Sequence, residues 1–134
     1  MSAPPIKKFR SFISIGPELY DECRQFYTDL GFEKLWDDGE TVCEFHTGSA
    51  DQTFLLTVHY GLKRPIRGVY QLWVDDVDGW YDHVKSLDLK NKPYEADFSE
   101  PSIQPWGWNI FYVWDPNGTL LHIGQPVDPD QTVG

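Results

Sequence analysis

Few side chains in this chain are equipped for chemistry. Histidines stand at positions 46, 59, 83 and 122, and an imidazole changes charge near neutral pH, so each is a candidate base, hydrogen-bonding group or metal ligand. His122 lies in Thr119-Leu120-Leu121-His122-Ile123, directly behind the turn signal Asp115-Pro116-Asn117-Gly118. A Pro-Asn tip pairs Trp114 with Thr119 and makes Phe111 the cross-strand neighbour of His122, a polar tip over an aromatic wall. His59 ends the run Phe54 to His59 and by alternation shares a face with Leu55 and Thr57. His46 and His83 read as surface or helix-face residues. Trp106 and Trp108 flank Gly107 in the longest irregular stretch of the second half, where flat indoles can stack on a planar or cationic ligand. There is no Gly-x-Ser-x-Gly elbow, no His at an evident spacing from Cys43, and no Gly-rich phosphate loop. Nucleophilic hydrolysis and nucleotide-dependent catalysis are therefore unsupported.

The elements that must position these residues follow from periodicity. Residues 10–15 alternate as a strand and run into Gly16-Pro17, where Pro suits a first helical turn. Leu19, Cys23, Phe26, Tyr27 and Leu30 then form one apolar helical face that stops at Gly31. Strands follow at 32–36, 42–46 and 54–59, separated by turns at Asp37 to Glu40 and around Gly48. A second cycle begins with the apolar run 69–74. Asp75 or Asp76 caps a helix buried through Val77, Trp80, Tyr81, Val84 and Leu87. A weak strand at 93–96, a strand at 109–114 and a strand at 119–123 complete it. Each half reads β-α-β-β-β, about 59 residues apart by the match of Ile15-Gly16 to Val74-Asp75, and each is too small to close a core alone.

Composition bounds the rest. The 134 residues hold 21 Asp plus Glu against 11 Lys plus Arg, a formal charge of -10, which repels phosphate backbones and anionic lipid surfaces. Nucleic acid and membrane are accordingly not expected as partners. Aromatics reach 16%, far above what a disordered chain carries. No run of 18 apolar residues and no apolar signal segment is present, so a cytoplasmic location is expected. Cys23 and Cys43 lack metal-finger spacing and are expected as reduced, buried thiols.

The succession Phe26-Tyr27-Thr28-Asp29-Leu30-Gly31-Phe32, then Val74-Asp75-Asp76-Val77-Asp78, then Trp106-Gly107 and Asp115-Pro116-Asn117-Gly118-Thr119-Leu120-Leu121 resembles the glyoxalase/bleomycin-resistance/dioxygenase group, the vicinal oxygen chelate superfamily. The likeness spans residues 10–125, and Gly107 to Gln125 is most similar to the bleomycin-resistance branch. The resemblance implies an α+β fold: one domain over 1–134, made of βαβββ modules at 10–60 and 66–124 whose curled mixed sheets form a ligand cleft, completed as a homodimer. It also implies a divalent metal held by His and Glu from the first and last strands of each module. Register puts Arg10, Leu55, Val69 and His122 at those positions, and of these only His122 is a good transition-metal ligand. No cofactor is therefore expected, with a metal on His59, His122 and Glu44 as the alternative. Arg10, which can clamp a carboxylate and opposes a cation, joins His59, Trp106, Trp108, Phe111 and His122 as the expected ligand-binding set. The expected function is sequestration of an aromatic or cationic small molecule. The alternative is a lyase, isomerase or dioxygenase, metal-dependent or with His122 as base.

Overall fold

The computed structural model describes residues 4–5, 7, 9–48, 52–58 and 68–131. The chain runs β1 (Ser11–Ser14), a 3-10 turn (Pro17–Leu19), α1 (Tyr20–Leu30), β2 (Glu33–Asp37), β3 (Val42–His46), β4 (Thr53–Thr57), β5 (Val69–Trp73), α2 (Val77–Ser86), β6 (Asp97–Phe98), β7 (Ser102–Ile103), β8 (Trp108–Trp114) and β9 (Leu120–Pro126). Helix α1 ends where Gly31 takes a φ of 122° and its N–H bonds the Thr28 carbonyl, a position that costs a residue without a Cβ little. Helix α2 starts at Asp76, whose carboxylate accepts from the Gly79 N–H at 2.9 Å.

Two mixed sheets result. The first has the order β1-β4-β3-β2, with β1 and β4 parallel; the second has β5-β9-β8-β6, with β5 and β9 parallel and β7 on β8. The likeness goes down to register. Phe12, Leu55 and Glu44 stand in one row across the first sheet, and Gln71, His122 and Tyr112 stand in the matching row across the second. No membrane-spanning length of apolar helix occurs among the described residues.

One apolar cluster serves both halves, joining Cys23, Phe26, Tyr27 and Leu30 of α1 and Val77 and Val84 of α2 to Phe45, Leu56, Phe111 and Ile123 of the sheets. Strand alternation therefore turns one face of each sheet to the helices and leaves the other outside. The halves are also stitched by polar contacts. The Tyr27 hydroxyl donates to Asp115 at 2.7 Å, the Asn117 amide donates to the Ser14 carbonyl at 3.2 Å, and His83 donates through Nε2 to the Leu30 carbonyl at 2.9 Å. That last bond makes His83 a helix-to-helix strut rather than a free surface group. His46 Nε2 lies 3.0 Å from Glu33 across β2 and β3. Cys23 and Cys43 are both free and buried.

Two element boundaries depart from the periodicity. No strand forms at 93–96, because the Tyr94, Glu95 and Ala96 N–H groups are spent on turn bonds to Asn91 and Leu89, so the ladder begins only at Asp97. The β8–β9 hairpin is one residue longer at its tip than a Pro-Asn turn. Gly118, at φ 88°, joins Pro116 and Asn117 in a three-residue loop closed by the Asp115 N–H to Thr119 carbonyl bond at 2.9 Å. Trp114 therefore pairs with Leu120, and His122 pairs with Tyr112 rather than Phe111.

Candidate functional site

A one-residue shift moves a side chain to the opposite face of a sheet, and the consequence for the predicted residues is direct. Phe111 is fully buried on the helix side, with its ring 5.5 Å from that of Tyr81. His122 occupies the outer face with Tyr112, the rings 5.7 Å apart at 69°. Gln71 of β5 is its neighbour on the other side. Further along the same face, Trp108 is fully buried and meets Trp73 edge to face, with centroids 4.7 Å apart. Gly124 makes that meeting possible: a Cβ there would lie 2.9 Å from Ile110 Cγ1 and 3.2 Å from Trp108 Cε3. Trp106, two residues before Trp108, is instead 55% exposed. The turn bonds around Gly107, including Gln104 N–H to the Trp108 carbonyl at 2.7 Å, send the two indoles to different places.

Two nitrogens on this outer face are buried with no hydrogen-bond partner among the described residues, Nδ1 of His122 and Nε1 of Trp108. Each unmet donor or acceptor costs about 1–3 kcal/mol. With Trp108 opposite Pro126 and His122 four residues back along β9, the two are separated by about 13 Å of strand.

The outer face of the first sheet is differently built. Glu44, 4% exposed, accepts from Arg10 Nη1 at 2.9 Å on one oxygen and from Trp36 Nε1 at 2.9 Å on the other. Burial alone would push its carboxyl up; the hydrogen bonds from Arg10 and Trp36 and the guanidinium charge prevail and hold it at about 2. Arg10 thus has an internal partner rather than an open clamp. Phe12, at 44%, and Trp36, also at 44%, remain exposed on this side.

The donor set among the described residues does not fit a divalent metal. Among the described residues no three His, Cys, Asp or Glu side chains come together, and Glu44 and His122 stand on different sheets. Glu44 has an arginine on it, which opposes a cation. Of the remaining expected positions, Leu55 offers no donor, and Val69 stands opposite Leu120 rather than His122. His59 lies outside the described residues. The structure thus brings His122 and Trp108 to one sheet face, places Arg10 with Glu44 on the other sheet, and separates Trp106 and Phe111 from both. Gln71, Trp73 and Tyr112 were missed as site residues. The signal for them was alternation once β5 is laid parallel to β9.

No family model and no curated protein matches the chain. Solved structures do. A bleomycin resistance determinant encoded on the transposon Tn5 aligns with a TM-score of 0.67 at 24% identity, over 89% of this chain and 98% of that one. A bleomycin-binding protein complexed with bleomycin aligns at 0.64 and 24%, over 86% and 95%. A lactoylglutathione lyase from Agrobacterium tumefaciens aligns at 0.67 and 20%, over 91% and 95%. The architecture defined by two mixed sheets and two helices is the glyoxalase/bleomycin-resistance fold, the fold expected of the vicinal oxygen chelate superfamily.

Proposed function

We propose that this protein binds and sequesters a small aromatic or cationic molecule on the outer face of its second sheet, without a metal. The observation that carries the reading is the pair of buried, unpartnered nitrogens, His122 Nδ1 and Trp108 Nε1, on the face that also presents Trp73. Folding leaves such groups unpaired at a cost that a ligand can repay by supplying their partners. The exposed indole of Trp73 adds stacking and cation-π attraction, and the charge of -10 raises the local concentration of a cation. The bleomycin-binding protein of the same fold lends support through its complex with bleomycin.

The test is calorimetric titration with bleomycin and with a planar cationic dye. Trp108→Phe, which keeps an aromatic ring and removes the donor, and His122→Ala are each expected to weaken binding about tenfold, the equivalent of one hydrogen bond. Saturable binding that neither substitution changes defeats the assignment of this face. A His122-assisted proton transfer is the second reading, favoured by the unpaired Nδ1 at the sheet face. Product formation lost in His122→Ala, with folding intact, replaces sequestration by catalysis.

The outer faces also suit a second copy of the chain. Phe12 and Trp36 are exposed beside the first sheet's row, and Val69, 66% exposed, and Trp73 beside the second's. Apolar groups gathered on open sheet faces mark association surfaces. Sedimentation equilibrium is expected to give twice the chain mass, and Val69→Glu to shift it toward the monomer. A wild-type monomer at all concentrations refutes the pairing.

A further inference from the structure

The residues of the sheet-face site do not account for a cavity that lies between the two halves. This cavity of about 410 Å³ is lined by both edge strands, β1 and β5, and by both helices. Arg10, Trp106, Trp108, Phe111 and His122 are all absent from its lining. It touches the sheet-face site only at its border, where Gln71 and Trp73 of β5 belong to both. We propose that this cavity is a second binding site, for a neutral, flat, mainly apolar molecule carrying a hydrogen-bonding group.

Three properties of the walls select that ligand. The volume falls within the span of small-molecule sites, about 300–1,000 Å³. The walls are dominated by rings, those of Tyr27, Phe32, Phe54, Tyr70 and Trp80, which favour a flat partner through stacked or edge-on contact. No described lining residue is charged, so an ion entering the cavity would shed its hydration without meeting a countercharge, at a cost of several kcal/mol. The polar side chains present are neutral: Ser11, Thr47, Gln52 and Gln71, with the hydroxyl-bearing rings of Tyr27 and Tyr70. A glutamine amide offers both donor and acceptor, so it can match a phenol, amine or carbonyl without demanding charge. The charge of -10 that favours cations at the surface has no counterpart among the described residues that line this cavity.

The test compares two probes sharing one ring skeleton. N-phenyl-1-naphthylamine is neutral, and 8-anilinonaphthalene-1-sulfonate adds an anionic group. Titration of the full chain, followed by probe fluorescence, is expected to show saturable binding of the neutral probe at one site per chain, with the sulfonate at least tenfold weaker. Ser11→Phe and Gln52→Trp, which fill the cavity from a half-buried and an exposed lining position, are each expected to weaken the neutral probe at least tenfold. Should Ser11→Phe fail to fold, Gln52→Trp alone decides. His122→Ala and Trp108→Phe are expected to leave this binding unchanged. Equal affinity for both probes, no saturable binding, or indifference to the filling substitutions overturns the proposal. Neutral-probe binding lost in His122→Ala but kept in the filled variants overturns it too, while leaving the sheet-face reading intact.

Discussion

At the scale of single residues, the informative groups are those whose surroundings contradict their chemistry. Glu44 is a buried carboxylate on β3, and it is tolerated because Arg10 and Trp36 donate to its two oxygens. Its folded carboxyl, at about 2, lies below the ordinary 4.5. The linked stabilisation is therefore complete above about pH 4.5 and is lost as pH falls through 2. Arg10→Met is expected to destabilise the fold by about 1–2 kcal/mol at pH 7. In urea titrations across pH, that difference should shrink as pH is lowered from 5 toward 2. A difference constant over that range would show that Arg10 acts through packing rather than through the Glu44 charge. His122 and Trp108 pose the opposite case, polar nitrogens buried without a partner among the described residues, which is why the proposed function rests on them.

At the scale of elements, the second sheet is set by what its hairpin and its glycine allow. Gly118 lengthens the tip and thereby chooses which residue of β8 meets His122. Gly124 lets β8 bring Ile110 and Trp108 against β9. Gly124→Ala is expected to cost about 1–3 kcal/mol by overpacking. Its nearest obstacle is Ile110 Cγ1, so combining it with Ile110→Ala, which removes that atom, should cost less than the sum of the two single losses. Additive losses would place the strain on the backbone instead. The helices and most strands were legible in the sequence, because Cys23, Phe26, Tyr27 and Leu30 repeat at helical spacing and the strand runs alternate. The segment 93–96 was misread since side-chain pattern carries no record of backbone donors already committed to a turn.

At the scale of the whole molecule, two similar halves share one core and are pinned across it. Tyr27 of α1 reaches Asp115 of the β8–β9 loop, a carboxylate that burial pushes up and that the Tyr27, Thr119 and Asn117 donors partly draw back. Tyr27→Phe removes one of those donors from a buried site and is expected to cost about 1–3 kcal/mol in chemical denaturation. A neutral result would mean that the Tyr27–Asp115 bond does not help to hold the halves together. The shared core also explains why the open sheet faces look away from the helices. Most apolar side chains of both sheets' inner faces are consumed in packing, which leaves the outer faces available to a partner.

The sequence by itself determined the two α/β cycles and the apolar faces of both helices, because these depend on residue type and short-range spacing. It also marked His122 and Trp108. Which residues join them was decided only by tertiary structure. A single extra residue in the hairpin tip exchanges Phe111 for Tyr112, parallel pairing brings Gln71 beside His122 and Trp73 beside Gly124, and the folding of the first sheet gives Glu44 its arginine. Register and strand neighbours are properties of long-range contacts, and the period-two pattern of a lone strand is indifferent to both.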